Sequence, residues 1–183
     1  MIAAYETERL LLKPLAAGDA GTVLEYLERN REFLAEWEPA KPDGFYTVEH
    51  QAAILDREHD IMERGIMVKW WLAKKDNPDR LIGMVSFSNI VRGAFQSCHL
   101  GYRLDEQEIN RGYMTEALRK AIGILFEEHL LHRIEANIMP RNTRSMCVVR
   151  KLGFEEEGLA KKYLKINGVW EDHIHMVLFN DKV

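Results

Sequence analysis

No stretch of this chain approaches the roughly 18 consecutive apolar residues that a membrane span needs. The N-terminal run MIAAYETERLLLKPL breaks its apolar positions with charges, so it lacks the core of a signal peptide. Cysteine is scarce, with only Cys98 and Cys147. Each falls inside an expected regular element, which makes no disulfide framework and suits a reducing compartment. Cys147 reads as a small buried hydrophobe. Positive charge is not in excess: 25 Lys and Arg stand against 29 Asp and Glu, for a formal net charge of -4. That balance gives no global attraction to nucleic acid. No internal repeat, low-complexity tract or linker interrupts the chain. These absences point to a cytoplasmic protein without a membrane or direct nucleic-acid partner. What is present is ordinary for a globular protein: 183 residues, 46% hydrophobic and 30% charged, enough for a single domain over residues 1–183 with a sizeable core.

The elements follow from periodicity and punctuation. Glu8 to Leu15 reads as a strand, and Ala20 to Trp37 as one or two short helices. Pro39, Pro42 and Asp43-Gly44 make the next stretch a loop. Thr47 caps a helix running to about Arg64. Val68 to Lys74 is a strand, Asn77-Pro78-Asp79 a turn, and Leu81 to Ile90 and Gln96 to Leu104 the next two strands of an antiparallel meander. A long amphipathic helix follows, with apolar residues from Met114 to Leu130 on one face. Arg133 to Met139 is a fifth strand. Asn142 caps a short helix, Thr143 to Leu152, and two strands joined at Asn167-Gly168 close the chain. A helical crossover is what a parallel pair needs, so the strands flanking the long helix are expected side by side and parallel. The expectation is a mixed, mostly antiparallel, seven-stranded α/β sheet flanked by helices.

The stretch from Ile109 to Leu130 organises the rest. A strand enters a turn bearing Arg111 and Gly112, and the turn opens the long helix. The first N–H groups of a helix have no internal partners and its dipole favours negative charge, so this is an anion site.

Four stretches together carry a resemblance to a known family. They are Thr7 to Leu12; Gly101-Tyr102-Arg103-Leu104 with Asn110 to Ala117; His132 to Ala136 with Pro140-Arg141-Asn142, Ser145 and Lys151 to Phe154; and Glu157-Gly158, Tyr163-Leu164 and Asn167 to His173. In that order they resemble the GNAT N-acetyltransferase superfamily, within it the RimJ/RimL-like branch of ribosomal-protein-alanine N-acetyltransferases. The resemblance implies acetyl coenzyme A as cosubstrate and no metal. It places the pyrophosphate on the turn of Asn110, Arg111, Gly112, Tyr113, Met114 and Thr115. The family pattern departs here at Ile109 and Met114, and keeps Gly112. It also implies that the two central parallel strands splay. The pantetheine arm then pairs with Tyr102, Arg103 and Leu104 like an added strand, and Asn142 meets the coenzyme near its thiol. Ser145 matches a serine that returns a proton to the leaving thiolate. RimL-type relatives carry a glutamate base at the position of Leu164, and here that base is absent.

The remaining candidates come from the residues. Glu135 and Asn137 alternate onto one face of the fifth strand, where both can hold a water near an amine. Trp37, Glu38, Phe45, Trp70 and Phe87 form an expected carboxylate-aromatic acceptor mouth. His173 and His175 share a strand face, but no acid or cysteine stands near them at supporting spacing, so no metal is expected. An α-amine with a pKa of about 7.8 is roughly one-seventh neutral at pH 7, against about 0.04% for a lysine near 10.4. A site without a strong base therefore suits an α-amine. The expected acceptor is a protein N-terminus, of the ribosomal alanine type that the resemblance implies. The alternatives are a small amine, or a coenzyme-binding regulator without transfer. The chain is expected to act as a monomer or homodimer.

Overall fold

The computed structural model describes residues 3–183. One sheet of eight strands runs through them: β1 (Tyr5–Glu6), β2 (Leu10–Lys13), β3 (Val68–Lys74), β4 (Asn77–Val91), β5 (Ser97–Leu104), β6 (Arg133–Ile138), β7 (Glu155–Ile166) and β8 (Val169–Phe179). Their order is β1-β2-β3-β4-β5-β6-β8-β7, and only the β5–β6 pair is parallel. The mixed α/β architecture is the expected one, with eight strands rather than seven. The extra strand is Tyr5–Glu6, which folds back on β2. It is too short to show a period in the sequence. The expected turn at Asn77-Pro78-Asp79 is also corrected. The tight turn is Lys75-Asp76, and β4 already pairs at Lys74↔Asn77.

Five helices cover the sheet: α1 (Ala20–Arg29), α2 (Arg31–Ala35), α3 (Val48–Glu63), α4 (Tyr113–Glu127) and α5 (Thr143–Lys151). Two of the helix caps, those of α3 and α5, follow from sequence chemistry. The Thr47 hydroxyl accepts from His50 N–H at 3.3 Å, and Asn142 Oδ1 accepts from Ser145 N–H at 3.2 Å. Asn167 and Gly168, at φ +48° and +84°, make the hairpin turn between β7 and β8. No helix among the described residues is long and apolar enough to cross a membrane.

Two cores form, one on each face, because β3 and β4 are apolar on both sides. The stripe of α4, with Met114, Ala117, Leu118, Ala121 and Leu125, packs on Trp70, Val85 and Phe87. On the other face α1 and α3 pack Val23, Tyr26 and Leu55 against Trp71 and Met84. Trp70 and Phe87 are therefore corrected as acceptor residues. Strand alternation turns both into the α4 core, where Trp70 is 1% and Phe87 0% exposed. Cys98 is buried, and burial pushes its thiol up to about 12. Cys147 is exposed rather than buried, since it lies on the side of α5 that borders an open cleft.

Where β4 and β5 pair, Gly83 lies opposite Leu104, and a Cβ there would meet Arg103 O at 2.5 Å. Replacing Gly83 by Ala should force the strands apart at a cost of about 1–3 kcal/mol. In a chain of this length that lowers Tm by roughly 2–4 °C per kcal/mol. A melting curve of the Gly83→Ala protein superposing on that of the natural chain would show that the close approach is not a constraint.

Candidate active site

The site begins where two strands part. β5 and β6 pair at Ser97↔Arg133, Cys98↔Ile134 and His99↔Glu135, and then stop. β5 stays with β4 as far as Gly83↔Leu104, and β6 stays with β8 as far as Ile138↔Ile174. The inner edge of β5 beyond His99 is thus left without a strand partner. A cleft of about 1130 Å³ opens there, lined by Leu100 to Leu104, by Ala136 to Met139, and by the starts of α4 and α5. Side chains hold the opening. The Tyr102 hydroxyl lies 2.6 Å from Ser145 Oγ and 3.1 Å from Ser145 O, which ties β5 to α5 instead of β6. Buried Asp105, just past β5, accepts from Arg29 at 2.8 Å, Arg80 at 3.2 Å and Gln107 N–H at 2.9 Å. Burial pushes the Asp105 carboxyl up, but these donors outweigh it and hold it below the usual carboxylate range.

The turn into α4 forms the floor of the cleft. Asn110 and Gly112 take φ of +61° and +79°, and Glu116 N–H is the first to bond back, to Gly112 O at 3.0 Å. The N–H groups of Tyr113, Met114 and Thr115 therefore have no helical partner. The N-terminal segment braces this turn, a role absent from the sequence reading. Arg9 donates to Glu116 from its backbone at 2.8 Å and from Nε at 2.7 Å, reaches Arg111 O at 3.1 Å, and stacks over the Tyr113 ring. Thr7 Oγ1 adds a bond to Glu116 at 2.6 Å. Asn110, Gly112, Tyr113, Met114 and Thr115 line the cleft, but Arg111 does not. Its guanidinium turns outward to Glu108 at 3.3 Å. Met114, one of the two departures from the family pattern, is 5% exposed because its side chain joins the α4 core. Arg144 and Lys151 supply cations along the α5 wall.

Of the proposed chemical groups, Tyr102, Arg103, Leu104, Asn142, Ser145 and Asn137 meet at the cleft. Burial raises the Tyr102 phenol, with the Ser145 bond opposing, so it stays protonated. Glu135 is corrected, since it does not line the cleft. Its carboxylate is held by Arg133 at 2.8 Å, with His175 Nδ1 at 3.3 Å. Burial pushes Glu135 up, but Arg133, Asn137, His175 and His99 outweigh it and leave a weak base. Acids do stand near the second histidine, in space rather than in sequence: Glu135, Glu157 and His175 converge within 4.8 Å. Arg133 already binds both carboxylates, at 2.8 and 2.6 Å, which makes the group an ion-pair cluster. Leu164 is 44% exposed on β7, opposite Glu171.

Across the cleft, α2 and the segment after it present Glu32, Glu36, Trp37 and Glu38. Glu38 is not free: it pairs with Arg103 at 2.8 Å and with Lys41, and burial, which raises its carboxyl, is outweighed by both cations. Phe45 sits outside the cleft, in an adjoining 360 Å³ cavity that shares Glu38. Arg141 spans the mouth between Glu36 at 3.5 Å and Glu171 at 2.9 Å, over the Trp37 ring. His173, which the sequence reading set aside, also lines the cleft.

Comparison with known proteins matches this arrangement. The family model for the acetyltransferase (GNAT) domain covers residues 9–155. "Probable N-acetyltransferase YjcK" of Bacillus subtilis (strain 168) is 40% identical over 171 residues, 93% of this chain and 94% of that one. The crystal structure of a ribosomal-protein-S5-alanine acetyltransferase from Vibrio fischeri superposes with a TM-score of 0.93 at 38% identity, covering 99% of this chain and 98% of that one. Mycobacterium smegmatis RimJ, solved in complex with CoA-disulfide, superposes with a TM-score of 0.91 at 26% identity, covering 98% of this chain and 88% of that one.

Two outcomes follow from the turn. Leu at position 112 would strain a left-handed backbone by about 1–2 kcal/mol, so Gly112→Leu should weaken coenzyme A binding about tenfold by calorimetry; unchanged affinity would make the turn merely structural. The Glu116 carboxyl is pushed up by burial, but Thr7 and Arg9 outweigh this and hold it below its usual range. Its stabilisation is thus present above the ordinary glutamate value of about 4.3 and lost as pH falls through the lower folded value. The difference in unfolding free energy between the natural chain and Glu116→Gln should accordingly shrink on acidification below about pH 4. A difference constant with pH would contradict it.

Proposed function

The chain belongs to the GNAT family of acetyl-CoA-dependent N-acetyltransferases, and on that premise we propose that its acceptor is a protein N-terminal α-amine, of the ribosomal-protein alanine type. The observation that carries this reading is the shape of the cleft. It runs from the α4 turn, past the free edge of β5, to an acidic wall on α2. A mouth that long, with Glu32, Glu36 and Trp37 on it, suits an extended peptide whose leading ammonium needs negative charge. The Vibrio fischeri relative, named for ribosomal protein S5 alanine, agrees.

In this reading the unpartnered amides from Tyr113 to Thr115 take the pyrophosphate, with Asn110 and Gly112 shaping the turn. Arg111 serves through its backbone alone. The backbone of Tyr102, Arg103 and Leu104 takes the pantetheine arm, and Asn142 approaches the thiol end. Main-chain amides near Leu104 stabilise the oxyanion. Ser145 is the acid. Its hydroxyl is free to face the thiolate when the Tyr102 phenol donates to Ser145 Oγ. Asn137 holds polar contact on the acceptor side, and Trp37 and Glu38 frame the amine's entry. The domain spans the chain from 1 to 183.

The test is an acceptor screen by mass spectrometry, with Ala-, Ser- and Met-starting peptides beside amino acids, polyamines and lysine side chains. Ala-starting peptides should be acetylated fastest. Faster transfer to a small amine would overturn the acceptor, and coenzyme binding without transfer to any amine would favour a regulator. With the accepted amine, Ser145→Ala should lower kcat by about 100-fold with little change in KM for acetyl-CoA. An unchanged kcat would remove Ser145 from the chemistry.

A further inference from the structure

The relatives' glutamate is absent at Leu164 and Glu135 is locked by Arg133, so the cleft has no carboxylate base among these candidates. We propose that the Nε2 atom of His173 accepts the proton of the acceptor amine. This rests on the acetyl-transfer reading above and adds its missing proton acceptor.

Three observations on β8 support it. First, His173 is 3% exposed, and the space it borders is the cleft. Second, its Nδ1 lies 3.0 Å from Glu171 O. A backbone carbonyl can only accept, so Nδ1 must carry the hydrogen, and in the neutral ring that leaves the lone pair on Nε2. Third, Nε2 has no hydrogen-bond partner among the described residues, and it is not sealed from open space. The Nε2 of His175, two residues on along the same face, is sealed and orphaned. The two histidines therefore differ in kind. His175 belongs to the Arg133–Glu135 cluster, whereas His173 lines the cleft and its Nε2 has no partner among the described residues.

The surroundings hold that ring in place. The Tyr163 ring lies 5.7 Å from it, and the Tyr163 hydroxyl in turn receives Asn137 Nδ2 at 3.5 Å. Glu171, whose carbonyl orients the imidazole, has its carboxylate on Arg141 at 2.9 Å, so the orienting segment is tied to the cleft mouth.

The step balances as follows. The amine nitrogen forms a bond to the thioester carbonyl carbon, and the carbonyl π pair moves to oxygen. A proton leaves nitrogen for His173 Nε2. The oxyanion pair then returns, the carbon–sulfur bond breaks with its electrons on sulfur, and the thiolate takes the Ser145 hydroxyl proton. The imidazolium proton returns through solvent to the serine. Amide and thiol are formed with no net change in protons from a neutral amine.

Two substitutions separate base from scaffold. An Asn side chain keeps an N–H at the Nδ1 position, facing Glu171 O, but has nothing at Nε2. The wild-type chain is first shown to acetylate an amine in the screen above, and failure there strikes the parent reading alone. With that amine, His173→Asn should lower kcat about 100-fold while KM for acetyl-CoA stays within about threefold, and added imidazole should restore part of the rate of His173→Ala. Activity of His173→Asn within threefold of wild type would reduce His173 to a structural residue and overturn the proposal. If both variants fail to fold, the wild-type chain decides. Long-range nitrogen–proton spectra should show His173 protonated at Nδ1, with its Nε2 resonance moving when coenzyme A and the accepted amine are added together. An Nε2–H tautomer, or no response to that pair, overturns it equally.

Discussion

Everything in this molecule turns on the end of one ladder: β5 and β6 exchange hydrogen bonds at three residue pairs and then separate. A central strand with a free inner edge is costly, because each unmet N–H and C=O in a dry interior loses about as much as a broken hydrogen bond. The fold tolerates it because the gap is a cleft and because neighbours hold each strand. β5 is fixed by β4 on its other side, by Tyr102 against Ser145, and by the buried Asp105 with its two arginines. β6 is fixed by β8 along its whole length. The helix that crosses between the two parallel strands must start close to the gap. Its unpartnered N–H groups and the free strand edge therefore border the same space.

The two faces of the sheet divide the work. The α4 face is almost wholly apolar, and its packing sets the position of the turn from Asn110 to Thr115. The opposite face grades from the α1–α3 core into charges around Glu38, Arg103, Glu135 and Arg133. Polar pairs in a half-dry space orient one another without moving much. The Arg103–Glu38 pair joins β5 to the segment after α2, so it ties one wall of the cleft to the other. The Arg9–Glu116 pair does the same for the N-terminal segment and α4. One side of the cleft thus carries cations from α5, and the other carries carboxylates from α2. That polarity is the one the proposed donor and acceptor would require, phosphate on one side and ammonium on the other.

Legibility varied with the kind of signal. Thr47, Asn142 and Asn167-Gly168 act through their own neighbours in the chain, and the structure places a cap or turn at each. The stripe of α4 was plain because helical period repeats over four turns. The two-residue β1 carries no period, and its pairing depends on β2 being there. Trp70 and Phe87 looked available for substrate because aromatic character does not say which face a residue takes. In a strand buried on both sides, both faces are apolar. Glu135 looked like a base because it shares a strand face with Asn137, and the grip of Arg133 on its carboxylate shows only in coordinates. His173 and His175 were indistinguishable as a pair two apart. One meets Glu135 across the strand and the other opens to the cleft.

By itself the sequence determined the element order, the parallel crossover and the glycine-bearing turn that opens the long helix, together with the family those motifs resemble. These depend on local backbone preference and on periods along a single segment. Only the tertiary structure decided where the central strands part, after His99, that Arg111 faces out while Met114 faces in, and that Arg9 braces the turn from more than a hundred residues away. It also decided which of two histidines meets the cleft. The reason is common to all of these. Each is a contact between segments far apart in the chain, and each is settled by which partner excludes water first, a competition that no single segment carries within it.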